Sequence, residues 1–190
     1  PILGETNKVE LPYFPSLKIA CGHFRTADAG APEYRLVPKE LGQLTPDKHF
    51  VARASGSSMD GGKSPIRDGD YLLCELISAE SAGKLTGEIL AIERQDEAGD
   101  NQYLLRKVLK DVAGQYTLRA NNPDYADIIV TDELRAQLRT FARLKRVLDP
   151  LAMMVGQRFM REDIPPLFGQ EFNPGSWNSG HIVLHDPQAH

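Results

Sequence analysis

The sequence predicts a mainly β fold, and two observations carry that expectation. Between residues 48 and 130 the apolar residues fall in short runs of strand length, without the longer stripe of an amphipathic helix. Clusters rich in Gly, Asn, Asp and Pro separate those runs at the places where a chain must turn.

Taken in order, residues 1–35 read as a poorly periodic N-terminal arm, interrupted by Pro12, Pro15, Gly22, Gly30 and Pro32. The strand runs follow at His49 to Ser55, Tyr71 to Ile77, Glu88 to Arg94, Gln102 to Lys110 and Tyr116 to Ala120. The polar segment Asp96 to Asn101 predicts a long hairpin, and Asp111 to Gly114 another turn. Asn121-Asn-Pro-Asp124 is a turn cluster ahead of Ile128 to Val130. Residues 132–148 satisfy two periods at once. Leu134, Leu138, Phe141, Leu144 and Leu148 fit a helical stripe, while Leu138, Thr140, Ala142, Leu144, Arg146 and Leu148 alternate as in a strand.

Pro150 suits a helix start before Leu151 to Met160. From Glu162 the composition changes, with Pro165-Pro166 and then the Asn173 to Gly180 turn cluster around Trp177. The expected organisation is an arm over 1–35, a β domain over 36–150, and over 151–190 a helical linker with the start of a truncated α/β module.

The bulk numbers narrow the classes. A chain of 190 residues is enough for one domain with a real core. With 41% hydrophobic and 25% charged residues it reads as a soluble globular protein. A formal net charge of −4 argues against a protein that coats nucleic acid. No apolar run reaches the roughly 20 residues of a membrane helix. Cys21 and Cys74 form no CxxC pair, so neither a disulfide framework nor a zinc site is expected, and a reducing cytoplasm is the expected home. No signal peptide is evident, and because the chain begins with Pro1 it is read as a piece or a trimmed product of a longer protein.

The chemistry concentrates in Phe50-Val-Ala-Arg-Ala-Ser-Gly-Ser-Ser-Met-Asp60, followed by Ile66-Arg-Asp-Gly-Asp70, then Gly87-Glu-Ile-Leu90, Leu105-Arg-Lys-Val-Leu109 and Asn121-Asn-Pro-Asp-Tyr125. These pieces, in this order, resemble the serine–lysine peptidases of the LexA type (the S24 family), a group of self-cleaving repressors and mutagenesis polymerase accessory proteins. The resemblance covers roughly residues 11–150. It implies a LexA-like peptidase fold, and it favours a short turn at Asp132 to Gln137 followed by a final strand. Ser57 departs from the acidic residue many relatives carry there. The segments Gly61 to Pro65 and 96–101 lengthen the interval between serine and lysine, as turn insertions do. Residues 158–190 resemble the start of a domain attached to helicase-type antiviral or restriction proteins.

The resemblance implies Ser58 as nucleophile and Lys107 as base. A serine hydroxyl is a poor nucleophile until a base takes its proton, and a lysine serves only when burial keeps it neutral. On a strand Lys107 shares a face with Tyr103, Leu105 and Leu109, which would supply that burial. The family's oxyanion hole corresponds to the backbone amides of Ser57 and Ser58.

Relatives cleave their own N-terminal arm between a small residue and glycine, where the missing Cβ permits close approach. Two such bonds exist, Cys21-Gly22 and Ala29-Gly30. The first is preferred, because Phe14 to Gly22 resembles the arm of the polymerase accessory proteins, which are cut at a Cys-Gly bond. The expected activity is thus a self-cleaving serine endopeptidase without cofactor or metal, acting as a switch in a DNA-damage or antiviral response. Its substrate is its own arm. The resemblance also implies a homodimer and triggering by a recombinase filament on single-stranded DNA. Two rivals remain open: a catalytically silent docking module of a larger DNA-processing protein, and a peptidase that cuts a partner repressor in trans.

Other candidates have plainer explanations. His181 and His185 share a strand face without a third ligand. The basic run Arg135, Arg139, Arg143, Lys145 and Arg146 reads as a solvated face, so direct nucleic-acid binding is not expected. Asp68 and Asp70 read as turn residues.

Overall fold

In the structure, a computed structural model, residues 7–26, 30–79 and 84–151 are described. Nine strands among them form one sheet: β1 (Lys8–Phe14), β2 (Glu33–Pro38), β3 (His49–Arg53), β4 (Tyr71–Leu76), β5 (Ile89–Arg94), β6 (Gln102–Lys110), β7 (Tyr116–Arg119), β8 (Ile128–Ile129) and β9 (Leu138–Leu148). Two α-helices accompany them, α1 (Leu17–Arg25) and the single turn α2 (Asp132–Arg135), with a 3-10 turn at Lys39–Leu41. The strands lie in the order β2-β1-β3-β4-β9-β5-β6-β7-β8. The fold is therefore mainly β, as the apolar runs predicted.

The runs between 48 and 130 all become strands, with ends moved by a residue or two. The hairpin at Asp96 to Asn101 joins β5 to β6, whose register pairs Arg94 with Gln102 and Ile89 with Lys107. Residues 132–148 resolve their double periodicity as a short helix followed by a strand. Thr131 caps α2 by accepting from the Leu134 N–H. β9 then runs between β4 and β5 and joins the two halves of the sheet.

The described residues of the first 35 are regular, unlike the poorly periodic arm that their prolines suggested. β1 pairs antiparallel with β2 from Lys8–Pro38 to Tyr13–Glu33, and parallel with β3 only at Tyr13 and Phe14. Pro12, with no N–H to give, precedes that short parallel pairing, so the ladder to β3 loses nothing. Ser16 caps α1 by accepting from the Ile19 N–H, a signal that lies directly after Pro15. The helix then buries Leu17, Ala20 and Cys21 against the sheet. Phe24 of α1 meets Phe14 and Phe50, with ring centroids 5.5 and 5.3 Å apart. Rings in such offset geometry add about 0.5–1.5 kcal/mol per pair beyond area burial. This cluster fixes α1 over the sheet.

Beyond residue 151 lie the helical linker, Trp177, His181 and His185. Ala29 lies in another gap. All are outside the described residues.

Candidate active site

The serine turn grows out of β3. All five residues of that strand are buried, and its backbone continues into a loop closed by Ala54 and Gly69, whose N–H donates to the Ala54 carbonyl at 2.9 Å. Gly56, at φ +81°, takes the left-handed bend that lets the chain reverse, and its N–H donates to Asp68 Oδ1 at 2.8 Å. Asp70 Oδ2 accepts from the Arg67 N–H in the same way. Asp68 and Asp70 are thus turn residues, as their spacing suggested. Met59 is buried in the main core cluster and pins the turn from below.

From above, the Asn121 to Tyr125 turn clasps it. The Asn122 N–H donates to the Ser58 carbonyl at 2.9 Å and its Nδ2 to the Ser57 carbonyl at 3.0 Å. Ser57 Oγ and Tyr125 Oη lie 3.0 Å apart. Gly61 permits the closeness, since a Cβ there would stand 2.6 Å from the Asn121 carbonyl oxygen. Thus Ser58 is half-buried at the end of a rigid turn. The N–H groups of Ser57 and Ser58 donate no hydrogen bond among the described residues.

Lys107 makes no hydrogen bond to Ser58. Consecutive strand residues point to opposite sides, and in β6 it is Arg106 that turns toward the serine. Arg106 is 6% exposed, and its Nη1 donates to Ser58 Oγ at 2.9 Å and to the Leu105 carbonyl at 2.8 Å. Lys107 is exposed, so the burial expected to neutralise its amine is lacking. The Ser58–Lys107 dyad is not formed in this structure, and a Ser58–Arg106 pair stands in its place. Arg106 was readable as the neighbouring residue of the same strand, but alternation alone does not say which of two successive residues faces the serine.

The electrostatics of Arg106 are unusual. Burial lowers its pKa below the ordinary arginine value, against an opposing contribution from Tyr125. Among the described residues no carboxylate pairs with it, and its Nε is buried without a hydrogen-bond partner. Even so lowered, a guanidinium stays protonated at neutral pH.

The favoured cleavage bond is also placed differently from the expectation. Cys21-Gly22 lies inside α1, with Cys21 4% exposed. A helical bond is not presented in the extended form a peptidase turn can attack. The Cys21 thiol adjoins a buried cluster built on Glu93, which is 0% exposed. Arg25 pairs with Glu93, Tyr103 Oη donates to it at 2.6 Å and Asn101 Nδ2 at 3.3 Å. Burial and the Glu93 charge push the Cys21 pKa up, against the pull of Arg25. The second bond begins at Ala29, outside the described residues, and ends at Gly30, which is exposed. Among the described residues no group of His, Cys, Asp and Glu could hold a metal ion. None of their helices is long and apolar enough to cross a membrane.

A family model described as Peptidase S24-like matches residues 12–144, from β1 into β9. The chain belongs to the S24 peptidase family, with the LexA-like fold that the motifs around Ser58 suggested. No curated protein matches it.

Proposed function

We propose that this S24 domain is a non-cleaving one, which serves as a docking or regulatory module in a DNA-processing or defence protein. One observation carries the reading: the group donating to Ser58 Oγ is the Arg106 guanidinium. A base must take the hydroxyl proton, and a guanidinium that is already donating has no lone pair with which to do so. The position of Cys21-Gly22 within a packed helix supports the same reading.

Self-cleavage through Lys107 is the competing reading. The Ser57 and Ser58 amides, which donate to nothing among the described residues, favour it, since an oxyanion hole needs such unspent donors beside the hydroxyl. One experiment separates the two. The purified chain is held at about pH 9–10, where more of any lysine is neutral, beside Ser58→Ala, and intact mass is followed. The mass of the wild-type chain is expected to stay constant. A product that appears in wild type but not in Ser58→Ala would overturn the proposal, and the residues lost would identify the bond. The homodimer and the recombinase-filament trigger implied by the family resemblance can be read in the same samples, by light scattering and by adding the filament. The non-cleaving reading expects no mass change with the filament present.

A further inference from the structure

We infer that the Ser58–Arg106 centre is an oxyanion-binding site, which takes a carboxylate or phosphate group from an incoming ligand. This rests on the non-cleaving reading above and gives that centre its ligand chemistry.

The unspent donors carry the argument. Arg106 offers five N–H groups. Nη1 spends its two on Ser58 Oγ and the Leu105 carbonyl. Neither Nε nor Nη2 donates a hydrogen bond among the described residues, and Nε is buried. Among the described residues the guanidinium has the Tyr125 ring at 6.0 Å but no carboxylate, and a buried cation is costly unless an anion completes it. Glu93, the buried carboxylate on the adjacent strand, is claimed by Arg25, Tyr103 and Asn101.

The serine turn that Arg106 reaches carries further unspent donors. Ser58 Oγ accepts from Arg106, which leaves its own proton for another acceptor. The N–H groups of Ser57 and Ser58, in the same turn, have no partners among the described residues. Ser55, three residues earlier, has a buried Oγ with no hydrogen bond. Guanidinium, hydroxyl and successive amides are the set that recognises carboxylate and phosphate oxygens. A neutral carbonyl ligand would answer the amides and leave the cation uncompensated.

The test is a two-dimensional NMR titration of the full chain, labelled with 15N, at pH 7 with ionic strength held by sodium chloride. Sodium phosphate and sodium acetate are the two probes. Saturable shifts are expected at the Ser57 and Ser58 amides and at Arg106 Nε–H, at around millimolar concentration. Tighter phosphate binding points to a phosphate-bearing ligand, and equal or tighter acetate binding to a carboxylate. Arg106→Gln should weaken the response about tenfold or more, while Lys107→Gln leaves it unchanged. Shifts that stay linear with both anions, or saturation that survives Arg106→Gln, would overturn the inference. Should Arg106→Gln fail to fold, Ser58→Ala keeps the guanidinium and must weaken binding severalfold; unaltered affinity there also overturns it. The intact-mass experiment reports separately. A chain that cleaves itself yet binds the anions sinks only the non-cleaving reading, and a silent chain that binds neither sinks only this one.

Discussion

Two buried charges sit on adjacent strands of this sheet and are treated in opposite ways. Glu93 on β5 is 0% exposed and receives Arg25, Tyr103 and Asn101. Arg106 on β6 is almost as buried and receives no carboxylate among the described residues. The first charge is closed: its lone pairs are occupied, and it ties α1 to the sheet. The second is left open beside a hydroxyl and two free amides. Since burying a charge is affordable only with partners, the difference separates a structural group from one reserved for a ligand.

Breaking the closed site should have the largest effect. Glu93→Ala leaves the Arg25 charge, Tyr103 Oη and Asn101 Nδ2 without their acceptor. Loss of one partner of a buried pair costs about 3–5 kcal/mol. Because the Arg25 side chain is 39% exposed and can regain water, about 3 kcal/mol is expected. Urea melts followed by circular dichroism measure it. The same cluster sets an acid dependence. Burial alone would raise the Glu93 pKa, but the hydrogen bonds from Tyr103 and Arg25 and the Arg25 charge outweigh it and leave the carboxyl below its ordinary value. A folded pKa below the unfolded one gives stability that is present above the unfolded pKa of about 4.3 and lost as pH falls through the folded one. The wild-type melting temperature should therefore fall more steeply below about pH 4 than that of Glu93→Gln. Parallel curves would mean that Glu93 contributes nothing through its charge.

A middle-sized effect tests the clasp over Ser58. Gly61→Ala places a methyl 2.6 Å from the Asn121 carbonyl and 3.0 Å from the Asn122 Cα, both backbone atoms that cannot swing aside. Overpacking of this kind costs about 1–3 kcal/mol. It should also loosen the Asn122 contacts that hold the Ser57 and Ser58 carbonyls, so anion shifts at those two amides should weaken while Arg106 is untouched. Unchanged stability would mean that the Asn121 turn rides freely on the serine turn.

The strands were legible because Val, Ile, Leu and Tyr runs alternate between well-marked turns. The serine turn was legible because Gly56 and the Asp68 to Asp70 segment impose a definite bend. β1 and α1 were not. Pro12 and Pro15 look like breakers, and only tertiary context shows that Pro12 lies just ahead of the residues that pair with β3 and that Ser16 caps a helix. α1 also carries Gly22 and a short apolar face that gains its stability from Phe14 and Phe50 rather than from propensity. At the centre the sequence brought β6 to Ser58 but not its register. In Leu105-Arg-Lys-Val108 two cations stand side by side, and a slip of one residue exchanges the buried one for the exposed one.

That pair of neighbours supplies the smallest and most discriminating contrast. Lys107 is exposed and has no carboxylate partner among the described residues, so Lys107→Gln should change stability by no more than about 0.5 kcal/mol. Arg106→Met, despite altering a buried residue, should cost no more than about 1 kcal/mol: it removes two hydrogen bonds but also an unpaired buried charge, and apolar replacements of buried charges are often neutral or stabilising. Denaturant midpoints of the two variants, measured with chloride as the only anion, should therefore lie close together and close to wild type. Added phosphate or acetate should then separate them, raising the midpoint of wild type and Lys107→Gln while leaving Arg106→Met where it was. A loss near 3 kcal/mol in Arg106→Met under chloride alone would instead make Arg106 a structural charge like Glu93, and the contrast between the two strands would disappear.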